Sequence, residues 1–131
     1  MKVEIAIGEV FDRITILDLK IKNINDPSRL SYVEAEREML LQALKYDDLE
    51  IDQPLYETLY LINSKIWDTE AGFREKESKK EFDREFINFA RLNAKYNDER
   101  FIMKSKINEH YNSDIREQKS YDFLYEANKS N

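Results

Sequence analysis

The chain has 131 residues at 15.8 kDa, the size of one domain that can bury a core without disulfides or metal. Its two glycines and two prolines are too few for sandwiches, barrels or glycine-rich phosphate loops. The absence of cysteine and the single histidine exclude thiolate nucleophiles, cysteine zinc sites, disulfides and paired-histidine metal motifs. A net charge of −6, from 21 basic and 27 acidic residues interleaved along the chain, is that of exposed helix faces and argues against nucleic acid or an anionic membrane as partner.

At the start, Val3, Ile5 and Ile7 alternate with Lys2, Glu4 and Ala6, the period of a strand. In a helical chain this is either an extended lead-in lying on the bundle or a strand paired across a two-fold axis. A first helix is expected from about Ile7 to Ile24, with Ile7, Val10, Phe11, Ile14, Leu17, Ile21 and Ile24 at three- and four-residue spacings. Ile5, Ile16 and Leu19 fall opposite that stripe, so this helix is central in its bundle or covered by a partner. Asp26-Pro27 ends it and opens a second helix, a cap acceptor followed by a residue preset for the first turn.

The second helix reaches about Tyr46 with Leu30, Val33, Leu40, Leu41 and Leu44 on one face. After the polar stretch 47–53 a third begins near Pro54, with Leu55, Leu59, Ile62, Ile66 and Phe73 inward. Gly72 costs it about 1 kcal/mol relative to alanine. A fourth starts near Phe82 with Phe86, Phe89 and Ala90 inward, and Asn97-Asp98 predicts its end and the cap of a fifth over Phe101–Tyr111. Asn112 suits a left-handed terminus, and residues 113–131 read as an arm with a frayed end. The predicted fold is all-α: one domain over 1–131, with a long N-terminal antiparallel helical hairpin packed on three further helices. No segment approaches the ~20 apolar residues of a membrane span, and Met1 to Ile7, interrupted by Glu4, is no signal peptide. The expected location is the cytoplasm.

The residues that invite chemistry are polar ones on apolar stripes. Asp18 lies among Ile14, Leu17 and Ile21, and Arg37 among Val33, Leu40 and Leu41. In a hairpin turning at Pro27-Ser28 the two are equally far from the turn, which predicts a charge-assisted contact. It is read first as an ion pair fixing register and second as a pocket in which Arg37 holds an anion and Asp18 orients it. Arg13 and Lys20, two turns apart on the first helix, would complete such an anion grip. Asn63, Asn93 and Asn108 sit on or beside inward faces of the third, fourth and fifth helices, where they form a polar network or line a cavity. Trp67 with Tyr56, Tyr60 and Asn63 makes an aromatic flank, usually a second packing surface or an interface. His110 reads as a late-helix residue near the negative end of the dipole. One imidazole supplies no nucleophile–base pair, so no catalytic residue, metal or cofactor is assigned. The cations Arg74, Lys76, Lys79, Lys80 and Arg84 are interrupted by acids and read as a solvated face.

Several stretches carry a resemblance when taken in order: Gly8-Glu-Val-Phe-Asp-Arg-Ile-Thr-Ile-Leu-Asp-Leu-Lys20, Asn63-Ser-Lys-Ile-Trp-Asp-Thr-Glu70, Phe89-Ala-Arg-Leu-Asn-Ala-Lys-Tyr-Asn-Asp-Glu-Arg100, Lys106-Ile-Asn108 and Glu117-Gln-Lys-Ser-Tyr121. The chain resembles, over most of residues 5–121, an uncharacterised family of small all-helical bacterial and phage proteins, a domain of unknown function. It departs from that pattern at Gly72, where an aliphatic or acidic residue is expected, and at Asn112, where glycine is expected. The resemblance implies a compact helical fold and carries no activity, ligand or catalytic residue. The leading reading is a non-enzymatic interaction or accessory module that binds another protein or a second copy of itself. The alternative is a small anionic-metabolite-binding protein, or a helical isomerase-like enzyme, with its site inside the bundle.

Overall fold

The computed structural model describes residues 1–129, with side chains as far as residue 126, and the described chain is all-helical with no strand. Five helices follow one another: α1 (Ile7–Asn23), α2 (Pro27–Tyr46), α3 (Gln53–Ser78), α4 (Arg84–His110) and α5 (Asp122–Lys129).

Three aspartates start three helices. Asp26 accepts from the Ser28 N–H (2.9 Å), Asp52 from Leu55 (3.0 Å) and Asp83 from Phe86 (3.0 Å), each satisfying an N–H that the first turn leaves without a partner. Pro27 and Pro54 occupy the first turns of α2 and α3, where a missing N–H costs nothing.

The same helices end in a common motif. Asp48, Lys80 and Asn112 take left-handed φ of 55°, 54° and 52°, and the next residue returns its N–H to the carbonyl five back: Leu49 to Leu44, Glu81 to Lys76, Ser113 to Asn108. A chain with two glycines places ordinary side chains where glycine is usual, at some strain.

Of the residues expected opposite the main stripe of α1, Leu19 is buried, Ile16 is half-buried and Ile5 is exposed. Gly8, Val10, Phe11, Asp12, Ile14, Thr15, Leu17 and Leu19 are buried, so the helix is enclosed almost all round. It packs on α2, α3 and α4, while α2 runs close to α1 alone. Val10, Phe11, Ile14, Leu44, Leu59 and Ile107 form the centre, where the start of α1 and α3 meets the ends of α2 and α4. At 26 and 27 residues, about 39 and 41 Å, α3 and α4 form a hairpin that outruns the ~26 Å of α1. The overhang holds itself together: Phe73 stacks on Phe86 at 4.7 Å, and the Phe89 ring lies where a side chain at Gly72 would begin.

Two expectations are corrected. Asn97-Asp98 does not divide a fourth helix from a fifth; α4 runs straight through. The Asn97 amide donates back to the Asn93 carbonyl at 2.9 Å, and the modest propensity cost of Asn and Asp is outweighed by packing against α3. The fifth helix instead lies inside the stretch read as an arm, where Leu124 is buried and anchors it. The frayed end concerns residues 130–131, outside the described residues. Residues 1–6 belong to no helix or strand; 1–5 are exposed, and Ala6 is extended and buried.

Candidate functional site

α1 begins without a cap of its own: Ala6 offers no side-chain acceptor. Its first free N–H groups are served from the far end of the chain. The Ile7 N–H donates to Ser113 Oγ (3.1 Å) and the Gly8 N–H to Asn108 Oδ1 (2.6 Å). Gly8 is required here because a Cβ would stand 2.5 Å from the Lys104 carbonyl oxygen. Asn108 is thus a cap supplied by α4, buried and committed.

One turn on, Asp12 is 1% exposed and is met from two helices. Arg100 of α4 grips it with Nε (2.8 Å) and Nη2, and Asn63 of α3 donates to it at 2.9 Å. Asn63 also donates to Thr15 Oγ1 (2.7 Å), whose hydroxyl donates to the Asp12 carbonyl. A forked guanidinium on a carboxylate, with an amide filling the remaining acceptor site, satisfies a charge that burial would otherwise make very costly. The Asp12 carboxylate in turn holds the Arg100 guanidinium above its ordinary pKa.

Beside this tie Lys104 bonds Glu9 (2.8 Å) and Glu117 (3.0 Å). Burial pulls the Lys104 ammonium down, but the two carboxylates outweigh it and hold it above the ordinary lysine value. Burial pushes Glu117 up, and Lys104 and Lys119 together bring it below 4.5. Glu117 thereby straps residues 113–121 across α1 and α4.

Over the Asp12 cluster opens a cleft of about 420 Å³ between α1, α3 and α4. Its walls are apolar, from Ile16, Leu19, Ile66, Trp67 and Ala71. Its polar border is Asn63, Glu70, Arg74 and Arg100. These charges are internally balanced: Arg100 faces Asp12, and Arg74 faces Glu70 at 3.3 Å, which also accepts from Asn93 at 2.9 Å.

Asp18 and Arg37 meet at 2.5 Å, with side chains 21% and 36% exposed. The Tyr56 hydroxyl donates to the second Asp18 oxygen, so both oxygens are engaged; burial and then Asp18 push the phenol well up. Arg13 turns outward to Glu9 (3.5 Å) and is half exposed, while Lys20 lies in the last turn of α1, its carbonyl receiving the Ile24 N–H. The Arg13 and Arg37 guanidiniums are thus each engaged by a carboxylate, that of Glu9 and that of Asp18. The three asparagines do not converge: Asn63 ties α3 to Asp12, Asn93 ties α4 to Glu70, and Asn108 caps α1. Lys76 collects Glu81, Asp83 and Glu85 at the α3–α4 turn, and Arg74 and Lys79 of the same cationic run pair with Glu70 and Glu75.

Sequence reasoning missed Asp12, Thr15, Arg100, Lys104 and Glu117. The signal for the first two was present: Asp12, Thr15, Ile16 and Leu19 follow one another at helical spacing on the second apolar side of α1. Arg100 and Lys104 sat beside an expected helix break that hid their common face.

Fold and site together define a helical bundle whose central helix is tied to a long hairpin by a buried Asp–Arg–Asn cluster beneath an apolar cleft. The chain belongs to a family of unknown function, DUF6165, whose model matches residues 1–129. No curated protein and no solved structure matches it. Among the described residues no helix is long and apolar enough to cross a membrane, and no three side chains are grouped to hold a metal.

Proposed function

We propose that the protein is a non-enzymatic interaction module whose cleft takes an apolar anchor side chain from a polypeptide partner. The observation that carries this reading is the cleft's construction, apolar walls around Trp67 with border charges already paired to each other. Burying an apolar anchor against Ile16, Leu19 and Trp67 gains the hydrophobic free energy and asks nothing of the polar border. The reading goes with a cytoplasmic protein, in a bacterium or phage by the likeness of its motifs, and with no need of a cofactor.

Trp67 is the one tryptophan and lines the cleft, so its emission reports occupancy. Peptides selected for binding should carry a large apolar residue, shift Trp67 emission, and lose binding to the Ala71→Arg variant, whose position is exposed at the cleft wall. The competing reading is a small anionic metabolite in the bundle, and what favours it is Arg100, which borders the cleft while paired with Asp12. A thermal-shift screen of nucleotides, sugar phosphates and dicarboxylates separates the two. A saturable rise that needs Arg100, with no cleft-dependent peptide, overturns the interaction reading.

A further inference from the structure

α2 is apolar on two opposite sides, and only one of them is used. Its inner side, ending in buried Leu44, packs on α1. On the outer side Ser28, Tyr32, Ala35, Met39, Ala43 and Tyr46 follow at three- and four-residue spacings over five turns. All six are exposed, with Tyr32 at 79%, Met39 at 72% and Tyr46 at 89%. In a chain that is 37% charged, this stripe carries no charge at all.

The order of residues on the stripe says what would cover it. It is symmetrical about Met39: Ala35 and Ala43 lie one turn to either side, and Tyr32 and Tyr46 two turns. A two-fold axis through Met39 sets α2 antiparallel to its copy, with Tyr32 level with the other copy's Tyr46, Ala35 with Ala43, and Met39 on itself. That is the self-complementarity an isologous contact requires, and the alanines let the helices approach closely. An unrelated partner would have no use for the symmetry. The patch also continues beyond the helix, since Val3 and Ile5 border the same shallow depression as Ala43. Over two copies the tyrosines, methionines and lead-in residues amount to on the order of 1,000 Å², the lower bound of a specific interface. We propose that the outer face of α2 is a homodimer interface, antiparallel about Met39, forming weakly and by concentration. This goes beyond the cleft reading, and no residue of α2 lines that cleft.

The cysteine-free chain makes the geometry testable by single cysteines. Under mild oxidation Met39→Cys should cross-link to itself. Tyr32→Cys alone should not, whereas Tyr32→Cys mixed with Tyr46→Cys should give the mixed dimer. Sedimentation equilibrium of the unmodified chain should show a concentration-dependent dimer, and Met39→Glu should weaken it at least tenfold without lowering the melting temperature. A wild-type chain that stays monomeric throughout overturns the proposal and returns this face to another protein. So does a dimer indifferent to Met39→Glu, or self-linking of Tyr32→Cys, which would mean parallel helices. Loss of peptide binding in the Ala71→Arg variant leaves these results untouched, so the two readings fail separately.

Discussion

Asp12 shows how much one side chain can commit. Its carboxylate is sealed between three helices, and removing it would leave the Arg100 guanidinium partly buried beside an unmet Asn63 amide. Asp12→Ala is expected to cost about 3 kcal/mol in urea unfolding, and the double variant Asp12→Leu with Arg100→Met to recover much of it, because a paired charge is replaced by packing rather than orphaned. Lys80 argues in the other direction. It holds φ 54° at an exposed helix end, where the Cβ is the source of strain. Lys80→Gly should therefore stabilise by about 1 kcal/mol in the same measurement, although glycine in a helix interior would do the opposite.

Elements are joined here by two ties of different strength. The α1–α2 hairpin is pinned by Asp18, Arg37 and Tyr56 at a partly exposed position, where water screens the pair. Arg37→Met should cost about 1 kcal/mol, well short of the Asp12 variant, as read by thermal melting. A much larger loss of some binding activity with the fold intact would instead reopen the ligand reading of this pair. The strap at residues 113–121 is held by Lys104 and Glu117, and its pH response follows from their shifts. Glu117 titrates below 4.5, so its contribution is complete above that value and is lost as pH falls through the lowered one. Lys104 titrates above 10.5, so its contribution is present below that value and disappears as pH rises through the raised one. Hydrogen exchange over residues 113–126 should be slow from about pH 5 to 10 once corrected for intrinsic rates, and should accelerate in acid. In Glu117→Gln the acid acceleration should vanish, with faster exchange already at neutral pH.

For the whole molecule, the long α3–α4 hairpin and the enclosed α1 form a frame, with α2 laid on one side and the start of α1 brought to the end of α4. Ile7 and Gly8 take their caps from Ser113 and Asn108, so the lead-in and the strap share one end of the bundle. Removing residues 1–5 keeps those caps but deletes Val3 and Ile5 from the edge of the α2 face. It should weaken self-association severalfold in sedimentation equilibrium while leaving the melting temperature within a degree or two.

The fold class, the first three helices and the Asp18–Arg37 contact were legible in the sequence, because each rests on local periodicity or on counting from a turn. Asn112 was legible for the same reason: a short polar side chain after a helix suits a left-handed φ. The continuity of α4 was not, since a few tenths of a kcal/mol at Asn97 and Asp98 predict a break that only packing against α3 overrules. Nor was the α5 helix, eight residues that need the seat of Leu124 to be stable. The Asp12 cluster lay beyond reach because its members come from three helices, 48 to 88 residues apart, and no local rule says which polar residue on an apolar face will find which partner. Helical periodicity determined which residues turn inward; only the tertiary structure decided which of them meet, because that depends on how whole helices are stacked and where their ends fall.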